Sequence, residues 1–191
     1  SDQVHITIDP VTIVDAGPDQ AVCASSPSVA LHGSVTGTLS AGTWSGGTGT
    51  FSPNANALNG TYTPSAAEIA AGTVTLTLTS AASTRPCPPA SDRMTITIYP
   101  VPSVNAGPDQ IVCAASPLVQ LAGSVGGAAT GGTWSGGTGT FTPGRNVLNP
   151  TYTPSPGEVA ARSVTLTLTT NDPAGPCGPV SDQMKITYDA P

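Results

Sequence analysis

The sequence predicts an all-β chain folded as two antiparallel β-sandwiches in tandem, on three observations. The 191 residues include 22 Gly and 20 Pro, punctuation too dense for long helices. Charged residues are 8% of the chain and apolar ones 38%. The apolar residues fall in short alternating runs, which separates the chain from a disordered polar tract. The third observation is that the second half restates the first at an offset of 90 residues.

That repeat fixes the organisation. Ala16-Gly17-Pro18-Asp19-Gln20 returns as Ala106 to Gln110, and Gly42 to Phe51 returns unchanged as Gly132 to Phe141. Thr61 to Ser65 returns at Thr151 to Ser155, and Val74 to Thr79 at Val164 to Thr169. The alignment needs no gap and roughly 60% of aligned positions are identical, so one domain is present twice. The expected units are 11–100 and 101–191, each the size of a small sandwich of about 100 residues. Ser1-Asp2-Gln3-Val4-His5-Ile6-Thr7-Ile8 also matches Ser91 to Ile98 and the stretch from Ser181. Residues 1–10 are therefore expected to be the last strand of a preceding repeat in a longer array.

Within one unit, Val29, Leu31 and Gly33 alternate in an early strand. Gly46-Gly47-Thr48-Gly49 reads as a hairpin connection, because it lacks the Lys and the following helix that a phosphate loop needs. Ser65-Ala66-Ala67-Glu68 spells a capping box. The apolar run after it is too short to offset helix nucleation alone, so one helical turn carrying the chain between sheets is expected. Ser155-Pro156-Gly157-Glu158 keeps the outer pair and puts Pro at the first helical position, where its missing N–H costs nothing. Val74, Leu76 and Leu78 then alternate with threonines, and Met94, Ile96 and Ile98 alternate in the last strand, each giving one dry and one wet face. Tyr99-Pro100-Val101-Pro102 is the expected connector, restricted by its prolines.

The Ala-Gly-Pro-Asp-Gln opening, the Leu31-to-Ser34 strand, Trp44-Ser45-Gly46-Gly47, the Tyr-Thr-Pro turn and the Thr-Val-Thr-Leu-Thr-Leu strand together resemble PKD-type immunoglobulin-like repeats. They are more closely similar to the tandem repeats of large surface adhesins of gliding Bacteroidetes, of the SprB type. The resemblance covers both units. It implies immunoglobulin-like sandwiches on the bacterial cell surface, in a protein of attachment or gliding motility. One departure is that the family's acidic Trp-x-Phe-Gly-Asp segment is here Trp-Ser-Gly-Gly, so no role of that acidic position carries over.

The cysteines are the sharpest chemical feature. Cys23 and Cys87 lie 64 residues apart, as do Cys113 and Cys177. One disulfide inside each unit is expected, worth roughly 4 kcal/mol for a loop of that length, and with it an oxidising, extracellular compartment. Buried free thiols are the alternative. Trp44 and Trp134 are expected in the two cores, as an immunoglobulin-like sandwich buries a central Trp; an exposed platform for sugar is the alternative. Tyr62 and Tyr152 are expected as corner tyrosines anchoring a loop.

Other chemistry has little support. His5 and His32 do not recur, so neither serves a shared general-base role. Calcium between tandem domains would draw on Asp9, Asp15 and Asp19, but at the second junction Tyr99 and Asn105 replace two of them, leaving Asp109. No cofactor and no catalysis are expected. Lys185 is the only lysine, which excludes a Lys–Asn cross-link in each unit. Five basic against eleven acidic residues, net −6, give no footprint for nucleic acid, and no apolar run is long enough for membrane insertion. The expected function is that of stalk or spacer repeats, monomeric, contacting neighbouring repeats of the same chain, with glycans or surfaces bound by other parts of the parent protein. The rival is a glycan- or protein-binding module that uses the loops at one end of each sandwich.

Overall fold

A computed structural model describes residues 2–4, 10–37, 39–82, 88–171, 173 and 175–189. The chain separates into two compact units, Ser1–Tyr99 and Pro100–Pro191.

The first unit contains β1 (Ile13–Asp15), β2 (Gln20–Cys23), β3 (Val29–Ala30), β4 (Ser34–Thr36), β5 (Gly42–Ser45), β6 (Thr50–Ser52), β7 (Thr61–Thr63), α1 (Ala66–Ala71), β8 (Thr73–Ser80) and β9 (Ser91–Tyr99). One sheet has the order β2-β9-β8-β5, a second the order β3-β7-β6, and β1 pairs with β4. The long strands are those with the cleanest alternation. In β8, Val74, Leu76 and Leu78 are at most 7% exposed, and their register partners Ile96, Met94 and Asp92 lie on β9. Between the two sheets sit Trp44, Tyr62, Leu31 and Met94, all nearly fully buried. Gly33 belongs to this packing: a Cβ there would lie 2.8 Å from both Leu78 Cδ2 and Trp44 Cζ2, closer than packed carbons approach.

α1 is the expected turn between sheets, leaving β7 on one and delivering β8 to the other. Ser65 caps it and accepts from the Glu68 N–H, the Glu68 side chain returns to the Ser65 N–H, and Gly72 closes it at φ 75°.

The early strand is shorter than its alternation suggested. Only Val29 and Ala30 are in the ladder; Leu31 and Gly33 keep the inward alternation but donate to the carbonyls of Gly60 and Leu58 in a loop. A second difference concerns direction: β2 pairs with β9 in parallel, Gln20 opposite Ile96 and Cys23 opposite Tyr99. The chain turns only slightly between β1 and β2, at Asp15, whose carboxylate accepts from the Gly17 N–H at 2.8 Å. With no reversal, it arrives beside β9 running the same way. Of residues 1–10, those described carry no strand, and residues 1 and 5–9, on which most of the expected leftover strand falls, lie outside the described residues.

The second unit repeats the plan with β10 (Ser103–Asn105), β11 (Gln110–Cys113), β12 (Val119–Gln120), β13 (Ser124–Gly126), β14 (Gly132–Ser135), β15 (Thr140–Thr142), β16 (Thr151–Thr153), α2 (Pro156–Ala160), β17 (Ser163–Thr170) and β18 (Ser181–Asp189). Its sheets are β11-β18-β17-β14 and β12-β16-β15, with β10 on β13, and β11 is again parallel to β18.

Candidate functional site

The residues that recur between copies converge on three places in each unit. The first is a clasp built on Tyr62 and Glu68. Tyr62 is fully buried, its ring 4.7 Å from Phe51, and its hydroxyl donates to the Glu68 carboxylate at 2.8 Å while accepting from the Gly49 N–H at 2.9 Å. The same carboxylate accepts from the N–H groups of Thr48 at 2.7 Å and Ser65 at 2.8 Å. The Gly-rich hairpin between β5 and β6 is thereby tied to the start of α1. A Cβ on Gly47 would meet the Tyr62 hydroxyl and, at 2.7 Å, Glu68 Oε1. This accounts for the unchanged Gly42-to-Phe51 stretch. Tyr152, Glu158, Gly139 and Thr138 make the same bonds in the second unit.

Burial pushes the Glu68 carboxyl upward, but donors from Ser65, Thr48 and Tyr62 outweigh it and hold the carboxyl below its ordinary value of 4.5. Burial, reinforced by the adjacent Glu68, pushes the Tyr62 hydroxyl up to about 12. Burial and the Glu158 charge push Tyr188, whose hydroxyl is buried without a partner, to about 12. A buried carboxylate that stays ionised because backbone donors surround it is a structural anchor; its lone pairs are committed and no proton is poised for transfer.

The second place holds the recurring aspartates. Asp92 accepts from the N–H of the buried Ala16 at 2.8 Å, and this bond, followed by the Arg93 N–H, holds its carboxyl below the usual range. Asp19 accepts from the Thr95 N–H at 2.7 Å, and Gln20 donates to the Ala30 carbonyl at 2.7 Å. Asp182 and Asp109 repeat the two backbone clasps. The Ala-Gly-Pro-Asp-Gln opening thus fastens β2 beside β9. Of the residues considered for calcium, Asp15 and Asp19 are engaged by backbone N–H groups, and Asp9 lies outside the described residues. Among the described residues no three His, Cys, Asp or Glu side chains cluster as a metal site. Trp44 and Trp134 are 2% and 0% exposed and donate to the carbonyls of Leu58 and Leu148, so neither offers a face to a sugar.

The third place is the cysteines, where one expectation is overturned. Cys23 and Cys177 are disulfide-bonded, but Cys113 is exposed and free, so the bridge expected between Cys113 and Cys177 does not exist. The reason is topological. Cys113 lies opposite Asp189, at the C-terminal end of β18, whereas Cys177 lies in the loop before Ser181, at its N-terminal end. Nine residues of strand separate the two ends by about 26 Å, far beyond the roughly 7 Å between Cα atoms that a disulfide spans. Sequence spacing alone held no sign of this, because it does not say at which end of the sandwich a residue falls. Cys87 lies outside the described residues.

The two β-sandwiches and their tandem order define the class: immunoglobulin-like repeats. Among solved structures the chain is similar to Sidekick-1 immunoglobulin domains 1–4 (15% identity, TM-score 0.60, covering 98% of this chain and 51% of that one). It is also similar to the titin I-band fragment I67–I69 (13%, 0.58, 97% and 68%) and to the insect immune protein hemolin (9%, 0.54, 100% and 49%). At such identities the likeness is one of fold, and the chain spans about half of the Sidekick-1 chain it matches. No family model matches the sequence, and no curated protein sequence does. No helix among the described residues is long and apolar enough to cross a membrane.

Proposed function

We propose that the two units are stalk repeats of an extracellular bacterial surface adhesin, of the kind the sequence resembles in gliding Bacteroidetes. They hold a binding region away from the cell and carry tension to it. The observation that carries this reading is the use made of the recurring side chains. Trp44, Tyr62, Glu68, Asp19 and Asp92, each repeated in the second unit, are all spent on holding the sandwich together. What has been duplicated is scaffolding.

Topology suits the task. The chain comes in through β2 and leaves through β9, and these strands are parallel neighbours. Pulling the two ends apart drives adjacent parallel strands in opposite directions along their length, loading their hydrogen bonds together in shear. The low charge and outward threonines of β8 leave a wet, weakly adhesive surface.

An array of immobilised glycans tests the reading against its rival: a spacer gives no specific retention of the two-repeat chain, while specific hits kept by one isolated repeat would establish a lectin-like module instead. The reading also calls for no bound ion. The expected melting temperature is the same with and without a calcium chelator, and a drop of several degrees on chelation would show a site.

A further inference from the structure

We propose that successive repeats are stapled to one another by disulfides, each joining the cysteine where one repeat ends to the loop cysteine where the next begins. In this chain the pair is Cys23 with Cys177, and Cys113 is the attachment point for the loop cysteine of a following copy. The proposal rests on the reading of the units as members of an array.

Bonding states carry the first half. Cys23 and Cys177 are both bonded and Cys113 is not. Were Cys23 joined to Cys87, no cysteine of the chain would remain for Cys177. The geometry of each unit, taken alone, agrees. Cys23 is the register partner of Tyr99, and the next residue, Ala24, donates to the Tyr99 carbonyl at 2.8 Å. Cys177 Sγ lies 3.6 Å from the Pro100 carbonyl oxygen. Tyr99 and Pro100 are consecutive, so both sulfurs are fixed beside the two sides of one peptide bond.

The second half follows from the repeat. Cys113 sits in its unit where Cys23 sits in the first, at the end of the strand parallel to the last one and opposite the final residue of that strand. Cys23 at this position is oxidised, and Cys113 is an exposed thiol at the same position. Closing the next bridge takes two thiols. The thiolate of one attacks the disulfide of an oxidised dithiol carrier and displaces one carrier sulfur; the second thiolate then displaces the other. The two electrons pass to the carrier, which leaves as a dithiol, and two protons go to solvent. The consequence is mechanical. Residues 24–176 lie within the loop closed by Cys23 and Cys177, so tension on the chain ends reaches only residues 1–23 and 177–191.

Peptide mapping of the unreduced chain, blocked with N-ethylmaleimide at acidic pH, tests the pairing. Cleavage after Arg, Lys and Glu places the four cysteines on four peptides. The expected result is one linked species containing Cys23 and Cys177, with the blocking group on Cys113. Linked species joining Cys23 to Cys87 or Cys113 to Cys177 would overturn it. Appending a further copy of residues 101–191 is expected to protect Cys113 from blocking, and replacing the added copy's loop cysteine by Ser is expected to restore it. If Cys113 is blocked in both, the periodic staple is wrong. Intra-repeat bridges would leave the spacer reading standing, whereas glycan retention would remove that reading without touching the bridges.

Discussion

Glu68 shows how a single residue carries two jobs of which the sequence displays only one. The capping box makes it legible as a helix cap, and the structure adds the bonds from Thr48 and Tyr62. Those depend on a hairpin twenty residues away folding back onto α1, which no local pattern encodes; the available signal was a Tyr and a Glu six residues apart in both copies. Because the folded carboxyl titrates below its unfolded value, its contribution is complete above about pH 4.5 and is lost as the pH falls below it. Glu68→Gln places an amide against the Ser65 N–H, and a loss of about 1–3 kcal/mol at pH 7 is expected. Denaturant melts of the variant across pH 3–7 are expected to show a flatter acid limb than the parent; an unchanged limb would mean that Glu68 is not the titrating anchor. The repeat supplies a second residue-scale test. Gly72 holds φ 75°, and its counterpart Arg162 holds φ 61° with an exposed side chain. A side chain in that region costs about 1 kcal/mol, partly offset by the flexibility of glycine when unfolded. Arg162→Gly is therefore expected to stabilise its unit by about 0.5 kcal/mol and Gly72→Ala to destabilise its own, and calorimetry finding the same sign for both would refute the argument.

Among elements, the long strands were the most legible. β8 and β9 alternate cleanly, and their apolar faces are the buried ones. The turn α1 was legible because its cap is written in four adjacent residues. Strand direction was not: β2 has four residues, and alternation is the same whichever way a strand runs. What sets its placement is the pair of aspartates reaching across from or to β9, a contact between residues 76 apart in sequence. Asp92→Ala leaves the buried Ala16 N–H without an acceptor, and a loss of about 1–3 kcal/mol is expected, with faster hydrogen exchange at the β2–β9 ladder. The equivalent Asp182→Ala is expected to loosen β11 and β18 alone. Slowed or unchanged exchange in both variants would show that the clasps do not hold the parallel strand.

At the scale of the whole chain, the 90-residue repeat announced two copies of one sandwich, whereas the cysteine count suggested bridges within each copy. The count was right in reporting that sulfur matters and silent on ends, which a β-sandwich places about 26 Å apart along a nine-residue strand. Scaffolding that carries tension through sulfur makes a quantitative demand that stretching one molecule by its termini measures directly. Under oxidising conditions the chain is expected to reach only about 130 Å at full extension, because the loop from 24 to 176 stays closed; under reduction both units open and it reaches about 650 Å. Bridges inside each repeat would instead give about 220 Å when oxidised. An oxidised chain that lengthens to that value, or to the reduced one, would contradict the account.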